Sequence, residues 1–218
     1  MSVLCRKLPH FAQFIYEISI SRLKANYSVN MAKKTAIVLV ADGTEEMEAV
    51  ITTDILRRAG INVTVAGLPE KECIKCSRDI QICVDANLKD AVQQKYDVVI
   101  LPGGLGGSEA FASSQEVGKL LKEQEKEGRV IAAICAAPIA LKAHDIAKGK
   151  QLTSYPSMKD KLADEYEYLE STVVTDGNLI TSRGPATAFA FGLAIVEKLL
   201  DKETVEKVAS GLLYTTCK

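Results

Sequence analysis

The fold is decided by the stretch Val130-Ile131-Ala132-Ala133-Ile134-Cys135-Ala136-Ala137-Pro138-Ile139-Ala140-Leu141. Its first five residues are apolar and partly β-branched, which predicts a short, buried, parallel strand. Residues 136–141 are rich in alanine and predict a helix, because proline is tolerated in a first helical turn. Cys135 is therefore expected at the corner between a strand and a helix.

The same alternation of strands and helices continues in both directions from this corner. Strands are predicted over 35–41, 61–66 and 97–101, and shorter ones within 72–84 and 172–182. Helices are predicted over 45–59, 108–112, 114–127, 185–200 and 202–212. Thr44 is expected to cap the first helix and Gly60 to end it. This order predicts an α/β fold with a mostly parallel central sheet covered on both faces.

The composition suits one globular domain and excludes several classes of protein. The chain has 218 residues, of which 47% are hydrophobic and 25% charged. Its net charge of −1 gives no basic field for nucleic acid, and no apolar run is long enough for membrane insertion. Six cysteines in a chain of this length do not indicate a disulfide framework, so a reducing intracellular compartment is favoured.

A domain boundary is predicted near Met31, which divides an N-terminal extension (1–30) from the α/β domain (31–218). The extension carries Arg6, Lys7, Arg22 and Lys24 against Glu17 alone, and apolar residues recur in it at helical spacing. Two interpretations stay open, a mitochondrial presequence and a mobile extension. The mobile extension is favoured.

Cys135 is the candidate nucleophile. Unpaired N–H groups at a helix N-terminus favour an anion, so the position predicts a lowered thiol pKa and a reactive thiolate. A small buried cysteine with a purely structural role is the alternative, and this segment alone does not decide between them.

Two further strand ends are expected beside Cys135, because ligands bind at the carboxyl ends of parallel strands. The turn Pro102-Gly103-Gly104-Leu105-Gly106-Gly107 does not have the spacing of a dinucleotide fingerprint. It is better suited to bring the Gly104 N–H, together with that of Ala136, to an oxyanion beside Cys135. Glu48 is one turn into the first helix, and burial would raise its pKa so that it holds a proton for the sulfur. A solvated glutamate is the alternative.

Other candidate residues carry weaker signals. Cys73 and Cys76 have C-x-x-C spacing without a second pair, which we interpret as a surface coincidence and not as a zinc or thioredoxin-like site. His144 is only nine residues beyond Cys135, so a Cys–His dyad is difficult to build. No metal site is predicted.

Taken together, the motifs resemble the DJ-one branch of the DJ-one/PfpI superfamily, the animal Parkinsonism-associated deglycases. The resemblance covers residues 32 to about 212. It is carried by Ala41-Asp42-Gly43-Thr44-Glu45-Glu46-Met47-Glu48, Arg57-Arg58-Ala59-Gly60, Val63-Thr64-Val65-Ala66-Gly67, Cys76-Ser77-Arg78-Asp79, Leu101-Pro102-Gly103-Gly104, Ala132-Ala133-Ile134-Cys135 and Thr181-Ser182-Arg183-Gly184-Pro185.

The resemblance implies a flavodoxin-like three-layer sandwich that forms a homodimer without a cofactor. It implies an oxidation-sensitive nucleophile at Cys135, an acidic partner at Glu48, and an anion-binding pocket formed by Gly103, Gly104, Ala136, Arg58 and Arg78. It also implies a cytoplasmic location, with nuclear and mitochondrial pools. The branch usually has a histidine where this chain has Tyr155, which disfavours proteolysis through a Cys–His dyad.

Two functions follow as expectations. The first is detoxification and repair of reactive carbonyls, with small dicarbonyls and glycated proteins or nucleotides as substrates, by a deglycase of hydrolase or lyase type with glyoxalase-like activity. The alternative is a redox sensor and stress chaperone that acts through oxidation of Cys135 with little turnover. A cysteine protease or amidotransferase is a third, weaker interpretation.

Overall fold

A seven-stranded sheet is the centre of the fold in the computed structural model, which describes residues 33–215. The strands of the chain are β1 (Thr35–Val40), β2 (Asn62–Gly67), β3 (Cys73–Lys75), β4 (Gln81–Cys83), β5 (Ala86–Asn87), β6 (Val98–Leu101), β7 (Val130–Ile134), β8 (Gln151–Leu152), β9 (Glu167–Tyr168), β10 (Val173–Asp176) and β11 (Leu179–Ser182). The expectations for residues 1–30 lie outside the described residues.

The sheet has the strand order β10-β11-β7-β6-β1-β2-β5. Every neighbouring pair is parallel except β10 and β11, which are antiparallel. The three middle strands β1, β6 and β7 are buried along almost their whole length, as expected for strands that are covered on both faces. The mostly parallel sheet predicted from the apolar runs is confirmed.

Eight helices are described: α1 (Glu46–Arg58), α2 (Leu88–Ala91), α3 (Leu105–Ser113), α4 (Gln115–Lys126), α5 (Pro138–Ala143), α6 (Lys159–Leu162), α7 (Ala188–Leu199) and α8 (Lys202–Gly211). They flank the sheet, with α1 packed against α7 and α3 packed against α5. Gly192 of α7 lies directly on Ile55 of α1, where a Cβ would be 2.9 Å from the isoleucine Cδ1. The small residue therefore permits close packing of these two helices.

The start of α1 differs from the prediction. Glu45, and not Thr44, is the N-cap, and its carboxylate accepts a hydrogen bond from the Glu48 N–H at 2.8 Å. The Thr44 hydroxyl instead accepts from the Ala41 N–H at 2.9 Å and closes the turn after β1. The C-terminal end is as predicted, because Gly60 follows the helix with a φ of +83° that favours glycine.

The strands β3 and β4 form a separate two-stranded hairpin, which we call the β3–β4 hairpin. A disulfide joins Cys73 to Cys83, which face each other in its register. Cys73 is thus bonded to Cys83 and not to Cys76, and this single disulfide was not foreseen when the cysteines were interpreted as forming no disulfide framework. Cys76 is a buried free cysteine.

Two searches of residues 33–215 bear on the excluded classes. In that part of the chain no helix is long and apolar enough to cross a bilayer. Among the same residues, no group of three or more histidine, cysteine, aspartate or glutamate side chains is placed to hold a metal ion.

Candidate active site

The carboxyl ends of β1, β6 and β7 meet at one edge of the sheet, because these strands are parallel neighbours. The segment after β1 leads into α1, the segment after β6 is the glycine-rich turn, and β7 ends at Cys135. A hydrogen bond of 2.9 Å from the Glu45 N–H to the Gly103 carbonyl joins the first two segments. The three candidate segments are thus brought together as predicted.

Cys135 has a left-handed backbone conformation, with a φ of +63°. This region is unfavourable for a residue with a side chain, and such strain persists only where the surroundings hold it. Here the Cys135 N–H donates to the Ser182 carbonyl at 3.0 Å, and its carbonyl accepts from the Tyr155 N–H at 2.8 Å. These bonds fix a sharp corner that directs the side chain away from the strand.

The predicted lowering of the Cys135 pKa is contradicted. Burial, followed by the charge of Glu48, raises the pKa of this thiol to about 12, although the N–H groups of Gly104 and Ala136 act in the opposite direction. The helix that was expected to stabilise a thiolate begins only at Pro138 and has six residues. Only 9% of Cys135 is exposed, so desolvation outweighs the backbone dipoles.

Glu48 is fully buried against the glycine-rich turn. Its Oε2 accepts a hydrogen bond from the Gly103 N–H at 2.6 Å, and its Oε1 has no partner. Burial raises the Glu48 pKa to about 8, with the charge of Glu45 adding to the shift and the Gly103 N–H opposing it. Glu48 is therefore mostly protonated at pH 7, as its predicted position suggested, and its charge acts on Cys135 only at higher pH.

The two glycines of the turn allow a contact that no side chain would permit. A Cβ on Gly103 would be 2.5 Å from the Cys135 Cβ and 2.6 Å from Glu48 Oε2. Gly104 has a φ of +82°, and a Cβ there would overlap the Gly43 carbonyl oxygen. Both positions thus require glycine, and the Gly104 N–H reaches the sulfur of Cys135, as does that of Ala136. The predicted pair of N–H groups is present.

A cavity of about 400 Å³ opens beside the sulfur. Its wall includes the turn of the β3–β4 hairpin, where Arg78 brings a positive charge. The Glu46 carboxylate holds that turn, accepting from the Arg78 N–H and the Ser77 hydroxyl, both at 2.8 Å. The lining residues are Glu45, Ser77, Arg78, Gly104, Leu105, Cys135, Ala136, Tyr155, Ser157, Met158 and Pro185.

Arg58, which was predicted to take part in anion binding, does not line this cavity of the chain. It is the last residue of α1, ten residues beyond Glu48, and a helix rises about 1.5 Å per residue. Its guanidinium instead forms an ion pair of 2.6 Å with Asp54 on the same helix. Arg78 is the arginine that the structure places at the cavity.

Several residues that line the cavity, or that hold its wall in place, were missed by sequence reasoning. Glu46 could have been found, because buried acidic residues in a first helical turn are unusual enough to require a partner. Ser157 and Met158 lie in one short 3₁₀ helix and Pro185 begins another, and a single turn of this kind is too short to give a periodic signal. Tyr155 was noted only as a departure from the resembling family, yet its half-exposed ring forms part of the wall and packs 3.5 Å from the position of a Cβ on Gly184.

Comparison with known proteins agrees with this geometry. A model of the DJ-1/PfpI family, the superfamily that the motifs resemble, matches residues 34–198. The chain belongs to the DJ-1/PfpI family. The family match extends from the start of β1 to the end of α7 and so includes all three strand ends of the site.

The alignments with individual relatives cover nearly the whole length of those proteins. Protein dj-1beta of Drosophila melanogaster is 59% identical over 181 residues, which are 83% of this chain and 97% of that protein. A crystal structure of the Drosophila DJ-1beta has a TM-score of 0.83 at 57% identity and covers 84% of this chain and all of that one. A Caenorhabditis elegans protein named glutathione-independent glyoxalase DJR-1.2 is 40% identical over 183 residues, 83% of this chain and 97% of that protein. The fold is therefore flavodoxin-like, as in these relatives.

Proposed function

We propose that this protein converts reactive 2-oxoaldehydes such as methylglyoxal to 2-hydroxy acids, with Cys135 as nucleophile. The observation that carries the proposal is the contact between Cys135, the protonatable Glu48 and two N–H donors at the end of an open cavity. A relative named as a glutathione-independent glyoxalase supports the reaction class. Release of early carbonyl adducts from proteins and nucleotides is an extension of the same chemistry, for which a deglycase assay is required.

The first step is addition of sulfur to the aldehyde carbon, which gives a hemithioacetal. The N–H groups of Gly104 and Ala136 stabilise the negative oxygen that forms. Because both pKa values are raised, a standing thiolate is not the starting state at neutral pH. The reactive form is the pair that has lost one proton. When the charge is on Glu48, the carboxylate takes the thiol proton during attack; when it is on the sulfur, protonated Glu48 donates a hydrogen bond to the thiolate.

The second step transfers hydrogen between the two adjacent carbons of the substrate. A proton leaves the former aldehyde carbon and another is added to the ketone carbon, which gives a thioester of the 2-hydroxy acid. Glu48, with a pKa near 8, is suited to move this proton. Water then hydrolyses the thioester and restores the thiol. One carbon is oxidised and its neighbour reduced, so the overall reaction consumes only water.

Substitution of Cys135 tests the proposal. Cys135→Ser should reduce methylglyoxal turnover by at least about a thousandfold, because a serine hydroxyl is a far weaker nucleophile. Cys76→Ser is the matched control, since Cys76 is the other buried free cysteine of the described residues and lies outside the cavity lining. Unchanged turnover in Cys135→Ser, with loss in Cys76→Ser, would contradict the assignment.

A second function, redox sensing with chaperone action, is favoured by one specific observation. Glu48 Oε1 is buried without a hydrogen-bond partner, on the carboxyl group whose Oε2 lies with the Cys135 sulfur against Gly103. A protonated Oε1 would donate to an oxygen of a Cys135 sulfinate, and the N–H groups of Gly104 and Ala136 would stabilise its charge. Intact-mass analysis after mild peroxide treatment tests this, with a gain of two oxygens on Cys135 expected and its loss in Glu48→Leu.

We also propose that the chain forms a homodimer with cytoplasmic, nuclear and mitochondrial pools. Met47 and Val50 support self-association, because they are large apolar side chains one turn apart on α1 and about half exposed. Sedimentation equilibrium tests the dimer, and Met47→Lys with Val50→Lys should convert it to a monomer. Imaging of the full chain and of a form without residues 1–30 tests the location.

A further inference from the structure

The cavity beside Cys135 is larger than methylglyoxal requires. Its volume of about 400 Å³ lies within the range of sites that hold drug-sized ligands, about 300–1,000 Å³. Methylglyoxal carries only a methyl group beyond its two carbonyls, and the proposed mechanism uses only Cys135, Glu48 and the N–H groups of Gly104 and Ala136. Most of the lining therefore has no task in the chemistry and is free to contact the rest of a larger substrate.

The remaining lining residues divide by chemistry into a polar group and an apolar group. The polar group is Glu45, Ser77, Arg78 and Ser157. We call the other group the apolar wall, and it consists of Leu105, Tyr155, Met158 and Pro185. An apolar substituent gains free energy when it leaves water against such a wall, whereas beside the charged side chains it would displace the water that solvates them. The lining therefore favours one orientation of a substrate that carries an apolar group.

The apolar wall is built from segments that are far apart in the sequence. The Tyr155 carbonyl accepts a hydrogen bond from the Met158 N–H at 2.9 Å, so these two residues lie one turn apart. The Tyr155 ring packs against Gly184, where a Cβ would be 3.5 Å from the ring Cδ2, and Pro185 is the next residue of the chain. Leu105 is the first residue of α3 and follows the glycine-rich turn. The wall thus has a continuous part around the tyrosine ring and a separate leucine.

Two members of the apolar wall expose apolar surface that the folded chain does not cover. Leu105 is 52% exposed and Tyr155 is 47% exposed, whereas Met158 is buried. Exposed apolar surface in a concave site is typical of ligand binding, because a ligand that covers it gains the free energy of removing it from water. Any assembly in which a carbonyl compound reaches Cys135 leaves this cavity open, so the wall stays accessible to the substrate.

Tyr155 is also fixed relative to the nucleophile. Its N–H donates to the Cys135 carbonyl at 2.8 Å, which is one of the two bonds that hold the strained corner. The backbones of the nucleophile and of the tyrosine are therefore joined before a ligand binds. A site that is already ordered loses less conformational entropy on binding, so contacts with the Tyr155 ring contribute more of their energy to affinity.

We propose that this site selects 2-oxoaldehydes whose ketone carbon carries a branched apolar group, and that Leu105 and Tyr155 set this selectivity. The inference rests on the proposed function, and the reaction is unchanged: sulfur adds to the aldehyde carbon, hydrogen is transferred between the two carbons, and water releases the 2-hydroxy acid. The N–H groups of Gly104 and Ala136 hold the oxygen of the reacting carbon, and the substituent lies on the apolar wall. The substituent takes no part in bond formation, so it stabilises the bound substrate and the transition state alike and raises kcat/KM.

Two substrates that differ only in this substituent test the proposal. Methylglyoxal and isobutylglyoxal have the same reacting carbons, so the ratio of their kcat/KM values reports the contribution of the isobutyl group. The full-length wild type should favour isobutylglyoxal by at least about tenfold. Leu105→Ala and Tyr155→Ala should each lower that ratio by about threefold to tenfold, whereas Tyr155→Phe should keep it because the ring remains.

Leu200→Ala is the matched control for these variants, because Leu200 is an exposed leucine that does not line the cavity. It should leave the ratio as it is in the wild type. A wild-type ratio of one or less would overturn the proposal, as would a ratio that neither Leu105→Ala nor Tyr155→Ala changes.

Protection of Cys135 from alkylation separates this inference from the proposed function. Lactate and leucate, the 2-hydroxy acids that correspond to the two substrates, have equal charge and are compared as inhibitors of Cys135 labelling by iodoacetamide. Labelling is quantified on the Cys135 peptide by mass spectrometry. Leucate should protect at a concentration about threefold to tenfold lower than lactate, and Tyr155→Ala should remove the difference.

This measurement does not depend on turnover. The expected protection in a protein that converts neither aldehyde would refute only the proposed function. Equal protection of the wild type by lactate and leucate would overturn the apolar wall as a binding site, even if methylglyoxal turnover were intact.

Discussion

Two glutamates in the first turn of α1 are buried in different surroundings and acquire opposite properties. Glu46 faces the β3–β4 hairpin. Burial alone would raise its pKa, but hydrogen bonds from its own N–H, from Ser77 and from Arg78 lower it instead. Glu48 faces Gly103 and Cys135, has one unpartnered oxygen, and has a pKa raised to about 8. Deeper burial of Glu48, together with the smaller number of donors that reach its carboxylate, decides which glutamate holds a proton.

The comparison assigns each glutamate a different task. Glu46 is ionised and satisfied, so it can hold the hairpin that carries Arg78. Glu48 is incompletely satisfied, which costs stability but leaves a proton that can move at neutral pH. A loss of stability of this kind is expected at a catalytic position and not at a structural one. The predictions below test whether the two roles are as separate as the contacts suggest.

The largest effect is expected from Glu48→Gln. An amide of the same shape cannot exchange the proton, so turnover should fall by about a hundredfold to ten-thousandfold. Wild-type kcat/KM should rise about tenfold per pH unit up to about pH 8 and then level off, because the singly ionised pair accumulates through the Glu48 pKa. Steady-state kinetics from pH 6 to 9 provide the measurement.

Glu46→Gln is the matched control for that experiment, since it changes the neighbouring carboxylate in the same way. It should alter turnover by less than about tenfold and leave the pH profile in place. A flat wild-type profile from pH 6 upward would instead mean that the thiolate is already formed, stabilised by the N–H groups of Gly104 and Ala136. Equal losses of turnover in Glu46→Gln and Glu48→Gln would show that the two glutamates do not have separate roles in catalysis.

Gly103→Ala tests the close contact of Cys135 and Glu48 at Gly103, on which the proposed catalytic role of Glu48 depends. The added methyl group would be within 2.6 Å of both the Cys135 Cβ and Glu48 Oε2, so the pair must separate. Misplacement by about 1 Å can reduce a rate about a hundredfold, and a loss of at least that size is expected. Gly211→Ala is the control, because a Cβ there meets nothing within 4 Å. Turnover near the wild-type level in Gly103→Ala would show that the contact is not required.

The sequence predicted those site residues whose positions follow from regular strands and helices. Cys135 was located because five apolar residues precede it, and Glu48 because it lies one turn into the helix that follows the first strand. The direction of the Cys135 pKa could not be obtained in this way, since desolvation depends on segments far apart in the chain. Local spacing also gave no indication of the bond between Cys73 and Cys83, because this pairing depends on the register of two three-residue strands.

Resemblance to the family identified residue types but not their distances. Arg58 and Arg78 were both expected at the cavity, and only the course of α1 shows that Arg58 lies at the far end of the helix. Thr44 is a preferred capping residue, but its hydroxyl is already used by the Ala41 N–H, so Glu45 caps α1. In each case the competing interaction is tertiary or belongs to a tight turn, and neither leaves a periodic pattern.

The pH dependence of stability should separate the two glutamates directly. Between about pH 4.5 and 8, folded Glu48 keeps a proton that the unfolded chain releases, so its contribution to stability is complete below pH 4.5 and is lost as the pH rises through about 8. Relative to Glu48→Gln, the wild type should therefore lose about 2 kcal/mol between pH 5 and 7. Urea unfolding at the two pH values is the measurement.

Glu46 should behave in the opposite sense in the same experiment. Its pKa is lowered on folding, so its contribution to stability is present above about pH 4.5 and is lost only as the pH falls through the folded value. The free-energy difference between the wild type and Glu46→Gln should be nearly constant from pH 5 to 7 and shrink below pH 4. A parallel decline for both glutamates would show that general charge, and not their hydrogen bonds, sets their behaviour.

The smallest effect is expected on the hairpin side, from Arg78→Ala. Arg78 is exposed at the cavity and brings a charge without touching the Cys135–Glu48 pair, so its loss should weaken binding more than chemistry. With an anionic 2-oxoaldehyde such as glyoxylate, KM should rise about threefold to tenfold while kcat changes by less than about twofold. Arg58→Ala is the matched control, because that guanidinium is paired with Asp54 away from the cavity. With neutral methylglyoxal the rise in KM should be smaller, since the charge then has no partner. A fall in kcat alone would mean that Arg78 acts on the reacting atoms. Glu46, which holds Arg78, would then also contribute to the chemistry, and its role could not be separated from that of Glu48.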